Sequence, residues 1–86
     1  MKKYYKGYFT EGCVSGETEK AIAFDGWFSS RDQLVWFPKS QIKLGEKLEG
    51  TNNREIFIPV WLFIKKAIRP ENVNIRWDDR NMVVEM

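Results

Sequence analysis

The sequence predicts a small, β-rich α+β domain: an antiparallel sheet or a partly open barrel of five or six strands, with one short helix. Three observations predict it. Several short segments alternate apolar and polar residues with the period of two that a strand requires. Gly, Pro and Asn separate these segments at short intervals. The 86 residues suffice for one domain, and we expect residues 1–86 to form it.

The first half of the chain predicts consecutive strands. Side chains of β-forming types predominate, and Ile22 and Phe24 fall on one face of their segment. A turn over residues 26–32, which includes Ser29 and Ser30, ends that strand. The next strand is apolar on both faces and stops or bends at Pro38, which has no N–H to donate. The predicted strands are residues 4–10, 18–28, 33–37 and, as a half-buried continuation, 40–44.

The second half contains the single predicted helix. A polar loop over residues 45–53 precedes a strand at 54–58. Pro59 suits the first helical position, and the helix is predicted over residues 60–68, because the position before Pro70 disfavours the α conformation. Alternation from Val73 to Trp77, a turn at residues 78–81 and an apolar end predict a terminal hairpin.

Aromatic residues make up 15% of the chain, and two roles are open to them. A small domain must bury most large side chains to offset the entropy lost on folding. We therefore expect Trp36 and Ile42 in the core and Lys39 outside it. The same aromatics beside lysines would suit base stacking. The core candidates are Phe24, Trp27, Trp36, Phe57, Trp61 and Trp77.

Residue counts exclude several kinds of site. The chain has no His and one Cys, Cys13, so an intrachain disulfide, a Cys/His zinc site and a His-assisted nucleophile are excluded. Asp78, Asp79 and Asn81 carry oxygen donors, but neighbours in one turn seldom converge on a metal, and we expect a turn. The sequence therefore predicts a non-enzymatic protein without a cofactor or a metal.

Charge and hydropathy indicate a cytoplasmic protein. The net charge is +2, less than a dedicated duplex-DNA binder usually carries. Basic and acidic blocks alternate along the chain, which suits charge complementarity with a protein partner. The longest apolar run, residues 56–64, is too short to span a membrane. A lone Cys is typical of a reducing compartment.

The predicted helix carries more apolar surface than one buried face requires: Val60, Trp61, Ile64 and Ala67 are expected to pack on the sheet, with Phe63 at the margin of that face. Lys65 and Lys66 are its polar residues, whereas a surface helix usually keeps a polar half. An aromatic beside cations is a frequent makeup of a binding surface. We therefore predict that Phe63, Lys65 and Lys66, extended by Arg69, bind a partner. The alternative is that Phe63 packs beneath the terminal hairpin.

A second candidate surface lies near the start of the chain. Three tyrosines and several lysines are interleaved there, as in proteins that hold single-stranded nucleic acid on small sheets. The residues of this alternative patch are Lys3, Tyr4, Tyr5, Lys6 and Tyr8.

Three segments resemble a group of small hypothetical proteins of phages, prophages and other mobile elements. They are GETEKAI at residues 16–22, WFPKSQI at 36–42 and IFIPVWLFIKK at 56–66. The pattern of that group is roughly E-T-E-K-A-[IL], W-[IL]-P-K-S-Q and I-P-x-W-L, in this order. The chain departs from it in its apolar helix residues and in residues 70–86. The resemblance implies a mobile-element context and no particular chemistry.

These observations favour a binding function. The leading hypothesis is a phage or mobile-element protein that inhibits a host defence protein by covering its surface, as an anti-CRISPR protein does. The alternative is a small β-barrel that binds single-stranded nucleic acid. Salt dependence separates the two, because counterion release makes nucleic-acid affinity fall steeply with salt. The sequence does not predict an oligomeric state.

Overall fold

The described part of the chain forms eight strands in two antiparallel sheets. The structure is a computed structural model that describes residues 2–28, 31–80 and 82–86. The β-rich α+β class is confirmed, and the sheets do not close into a barrel. The number of strands exceeds the predicted five or six because very short strands, of two and three residues, also pair near the end of the chain. In order, the elements are β1 (Lys3–Phe9), β2 (Val14–Glu17), β3 (Ala21–Phe28), β4 (Arg31–Pro38), β5 (Lys43–Lys47), β6 (Arg54–Pro59), α1 (Val60–Lys66), β7 (Arg76–Trp77) and β8 (Val83–Glu85).

The five-stranded sheet is built around β1. Its order is β5-β6-β1-β7, and β8 also pairs with β1. The predicted terminal hairpin is wrong, because β7 and β8 lie end to end along one edge of β1 instead of pairing with each other. Between them the chain leaves the ladder opposite Lys6, whose C=O accepts from Asp78 N and whose N–H donates to Met82 O. Asn81 lies outside the described residues.

The three-stranded sheet has the order β2-β3-β4. The strands β3 and β4 pair without interruption from Ala21 and Pro38 to Phe28 and Arg31. The predicted turn between them includes Ser29 and Ser30, which lie outside the described residues. The strand β3 begins later than predicted, because Thr18 Oγ1 accepts the amide of Ala21 at 3.0 Å and turns the chain there.

One hydrophobic core lies between the sheets. Phe9 on β1 meets Phe24 on β3 with ring centroids 5.4 Å apart. The prediction for Ile42 is confirmed, since it is buried, but Trp36 is 39% exposed and lies outside the core. Of the other aromatic candidates, Phe24 is buried, Phe57 and Trp77 are half-buried, and Trp27 and Trp61 are exposed. The largest fully buried side chains are Phe24, Phe37, Ile56, Ile58 and Phe63.

The helix α1 is shorter than predicted and presents the opposite side to the core. Pro59 is the last residue of β6 and the N-cap residue of α1, one position before the first helical position predicted for it, and Ala67 ends the helix with a left-handed φ of 56°. Leu62 and Phe63 are buried, whereas Ile64 is 74% exposed. No helix among the described residues has the length and apolarity needed to cross a membrane.

The predicted polar loop is shorter than expected and partly replaced by a strand. Residues 43–47 form β5 and pair with β6, so the loop covers residues 48–53. The side of the fold between β2 and β5 stays open as a cleft of about 940 Å³, lined by residues of both sheets. Because β2 and β5 do not pair across this cleft, the two sheets do not form a closed barrel.

Candidate functional site

Phe63, the predicted anchor of a partner surface, belongs to the core. It is 2% exposed, and its ring packs edge-on against Tyr5 and Trp77 with centroid distances of 5.1 and 5.8 Å. Phe37 of the other sheet lies 5.7 Å away. Phe63 is therefore a core residue, and its ring is not exposed in the way the predicted partner surface requires. The alternative, burial beneath the C-terminal segment, is close to what is found, with Trp77 as its neighbour there.

The cationic residues predicted beside Phe63 do lie at the surface. Lys65 and Lys66 are exposed in the last turn of α1. Arg69 has an 81% exposed side chain and an ion pair with Glu71 at 3.9 Å. Their apolar neighbours at the surface are Trp61 and Ile64, so a small apolar and cationic patch exists on α1 without Phe63. Partner binding by these residues remains a prediction.

The tyrosine and lysine patch near the start of the chain is divided between two faces of β1. Tyr5 packs against Phe63 on the core side. Tyr4, Lys6 and Tyr8 alternate with it on the outward side, where Tyr4 is only 5% exposed. Lys3 is exposed at the start of the strand. A continuous stacking platform from all five residues is therefore not formed, because a strand sends successive side chains in opposite directions.

Lys6 is held by charged and aromatic neighbours. Its Nζ lies 3.5 Å from Glu55 and 3.8 Å from Asp78, and 5.9 Å from the centre of the Tyr8 ring. Burial by itself lowers the pKa of Lys6, but Tyr8 and Glu55 outweigh it and raise the pKa above its ordinary 10.5. A lysine engaged in this way is poorly placed to neutralise a phosphate.

The outward side of the three-stranded sheet carries the largest group of exposed apolar side chains on strands. Trp27 is 55% exposed, Leu34 42% and Trp36 39%. Leu34 and Trp36 are two apart on β4, and Trp27 lies diagonally across from Leu34, so the three are neighbours on one face. We call this surface, with Asp25 and Asp32 between these side chains, the tryptophan face.

Trp36 is held in place by small residues beneath it. A Cβ added at Gly16 would lie 3.1 Å from its ring, so the indole packs directly over the backbone of β2. Ala23, its cross-strand partner, is fully buried although it faces outward. A ring fixed in this way loses little conformational entropy when a partner covers it.

Carboxylates accompany the exposed aromatics. Asp25 is paired across the ladder with Leu34, and Asp32 with Trp27. Both are exposed, and neither forms a salt bridge within the described side chains, which do not include that of Arg31. The tryptophan face therefore combines apolar side chains with negative charge, whereas the charged residues of α1, Lys65 and Lys66, are positive.

The cleft between β2 and β5 is the other concave feature. Phe9, Ile22 and Leu44 supply apolar lining, and Glu17 and Arg54 are polar groups at its sides. Both are engaged elsewhere: Glu17 with Lys39 at 2.6 Å, and Arg54 Nε with Gly45 O at 3.0 Å. Lys39 is thus outside the core, as predicted. The other polar residues of the lining are Thr10, Glu11, Glu46, Lys47 and Asn52.

The described part of the chain gathers titratable side chains around Lys6 Nζ, those of Glu55, Asp78 and Tyr8. No group of three or more His, Cys, Asp or Glu among the described residues could hold a metal ion. Asp78 Oδ1 accepts the amide of Arg80 at 2.9 Å, in the predicted turn, and its other oxygen accepts from Tyr8 at 3.3 Å. Cys13 is half-buried beside Thr10, with 3.5 Å between Sγ and Oγ1.

In comparisons with family models, with curated proteins and with solved structures, no significant match to the chain was found.

The sequence did hold a signal for the tryptophan face. Asp32, Leu34 and Trp36 share one side of β4, and Asp25 and Trp27 share one side of β3. A charged residue within the alternation marks its side of the strand as the solvent side. We nevertheless predicted Trp27 and Trp36 to be buried, because a small domain is expected to bury its large aromatic side chains.

Proposed function

We propose that the protein is a non-enzymatic binding module and that the tryptophan face covers a partner protein. The observation that supports this is the exposure of Trp27, Leu34 and Trp36 side by side on one sheet face. Contiguous exposed apolar surface is a mark of protein interaction sites, and Trp is among the residues enriched where binding energy concentrates.

The finer part of the proposal concerns the partner. The module acts in the cytoplasm and inhibits a host defence protein by occlusion, in the manner of an anti-CRISPR protein. The support for this is the mobile-element resemblance of residues 16–22, 36–42 and 56–66, together with the single cysteine.

The test is capture of partners from a bacterial lysate by the immobilised protein and two surface variants. The variant Trp27→Ala with Leu34→Ala removes exposed apolar area from the tryptophan face. The matched variant Trp61→Ala with Ile64→Ala does the same on α1, where both side chains are also exposed. We expect the first variant to lose the captured protein and the second to keep it, with both retaining the wild-type circular dichroism spectrum.

A charge reversal on the helix tests the cationic residues separately. If Lys65→Glu with Lys66→Glu abolishes capture and the tryptophan-face variant does not, the binding surface is α1 and the proposal is wrong. If the captured material is nucleic acid that salt releases, the alternative of single-strand binding replaces it.

A further inference from the structure

The long outer edge of the three-stranded sheet has no bulge, and its charged residues and proline lie at the ends of β4: Arg31 and Asp32 at one end, Pro38 at the other. Within the described residues, β4 pairs with β3 on one side and with no strand on the other. Its register with β3 runs through eight residue pairs without a bulge. Exposed edges normally carry bulges, breaks or charges that prevent pairing with another chain.

The remaining sheet edges do carry such features. The pairing of β5 is shifted between Leu44 and Lys47, in a strand with lysines at both ends. The short β2 is shifted between Val14 and Gly16. On the far side of the larger sheet, the chain leaves the ladder between β7 and β8. The edge of β4 differs from the other edges in its long register without a bulge, although it too ends in charged residues and a proline.

In an antiparallel ladder only every second residue pair is joined by backbone hydrogen bonds. This alternation shows which backbone groups of β4 point away from β3. Lys39 N donates to Lys20 O, so these two residues form a hydrogen-bonded pair. The next hydrogen-bonded pairs of the β3–β4 ladder follow at every second residue from Lys39. The opposite edge of β3 agrees, because Asn74 N donates to Asp25 O and Asn72 Nδ2 to Trp27 O. Odd-numbered residues of β4 thus bond to β3, and even-numbered ones face away.

The outward backbone groups belong to the residues of the tryptophan face. They are those of Asp32, Leu34 and Trp36, followed by Pro38, which has no N–H and whose C=O accepts from Gln41. Backbone donors and acceptors, apolar side chains and a carboxylate are therefore presented along one edge. This combination is what a protein offers when it receives an extended segment as an added strand.

We infer that β4 binds an extended, basic segment of the partner as a fourth antiparallel strand. The inference rests on the proposed function and names the chemistry of the partner. An added strand forms its bonded pairs with Asp32, Leu34 and Trp36, and the side chains at those pairs lie on the tryptophan face. The segment places apolar side chains beside Trp36 and Leu34 and a Lys or Arg beside Asp32.

Charge decides between such a segment and a second copy of the chain. Two copies paired antiparallel about Leu34 would bring Asp25 and Asp32 of each onto one continuous face. Four carboxylates would then share a surface whose described side chains supply no salt bridge to them. A basic segment neutralises the same carboxylates, so it is the occupant that fits.

The probe for this inference is the capped peptide Thr-Val-Thr-Tyr-Thr-Lys-Thr, titrated into the isotopically labelled protein and followed by NMR. Its Val, Tyr and Lys are placed opposite Trp36, Leu34 and Asp32. We expect saturable shifts of these three backbone amides and slower hydrogen exchange at them. The same peptide with Glu in place of Lys is expected to bind about tenfold more weakly, because an ion pair is lost and the new carboxylate repels Asp32.

Backbone methylation separates strand addition from simple apolar docking. N-methylation at Tyr removes a donor aimed at β4, and we expect about a tenfold loss of affinity. N-methylation at the neighbouring Thr blocks an amide that faces away, and it is the matched control. In the protein, Leu34→Pro removes an outward N–H without touching the ladder to β3, and it is compared with Leu34→Ala.

The outcomes distinguish this inference from the proposed function. If both methylated peptides bind equally, or Leu34→Pro binds as well as Leu34→Ala, strand addition is wrong. It is also wrong if the unmodified peptide shifts none of the three amides, or if sedimentation shows that this edge joins two copies. Should the tryptophan-face variant still lose partner capture, the proposed function survives that failure.

Discussion

Trp36 and Phe37 are neighbours on β4 whose side chains leave the strand on opposite sides of its sheet. Phe37 is fully buried and packs against Phe24 and Phe63, whereas Trp36 lies over Gly16 with 39% of its surface exposed. Although Trp is the larger residue, we expect Phe37 to contribute more to stability, because a buried ring leaves a cavity when it is removed and an exposed one does not.

The first prediction compares the two residues. Phe37→Ala should lower the free energy of unfolding by about 3–5 kcal/mol, and Trp36→Ala by about 1–2 kcal/mol. Chemical denaturation followed by far-UV circular dichroism measures both. If Trp36→Ala is the more destabilising of the two, the indole is buried, and the tryptophan face is not available to a partner.

Lys6 gives a prediction on pH. Because its pKa is raised in the folded protein, it binds its proton more tightly there than in the unfolded chain. Its contribution to stability is therefore complete below its ordinary pKa of 10.5 and is lost as the pH rises through the raised value. The difference in unfolding free energy between wild type and Lys6→Met should shrink over that range. A difference that grows with pH would contradict the raised pKa.

At the scale of secondary structure, the positions of the strands along the chain were easier to predict than which strands pair or which side of the helix is buried. Alternation placed β1, β3, β4 and β6 to within a few residues, because a period of two is imposed by each strand locally. The side of α1 was predicted wrongly, since nearly all of its residues are apolar and no polar stripe marks the solvent side. The pairing of β7 and β8 with β1 depends on distant contacts that local patterns do not encode.

The end of α1 contains a residue in an unfavourable conformation. Ala67 has a φ of 56°, and its N–H and that of Ile68 donate to the last carbonyls of the helix. Glycine adopts this conformation without a steric cost, so Ala67→Gly should raise the free energy of unfolding by about 0.5–1 kcal/mol. Ala21→Gly, within β3, should instead lower it. Thermal melts of both variants check the sign.

The loop between β5 and β6 gives a prediction on tolerance to shortening. Leu48 N donates to Asn53 O, so the loop is closed by a hairpin bond before residues 49–52 begin. Replacing those residues with Asn-Gly suits a two-residue hairpin, and the melting temperature should stay within about 3 °C of wild type. Deleting Gly45 and Glu46 from β5 is the control, and it should cause a much larger loss.

At the scale of the whole molecule, packing between aromatic rings connects the two sheets. Phe63 contacts Tyr5 and Trp77 of the five-stranded sheet and Phe37 of the three-stranded one. A helix of seven residues is too short to be stable without such packing. The buried face of α1 therefore joins the two sheets, which leaves the outward side of the smaller sheet uncovered for a partner.

This arrangement predicts that the sheets unfold together. Phe63→Ala should cost about 3–5 kcal/mol, a large part of the stability of a domain of this size. Trp61→Ala, in the same helix but 44% exposed, is the control and should cost far less. Amide hydrogen exchange should show protection falling equally in β1 and β3 of the Phe63 variant. If β1 loses protection while β3 keeps it, the sheets are independently stable and Phe63 does not couple them.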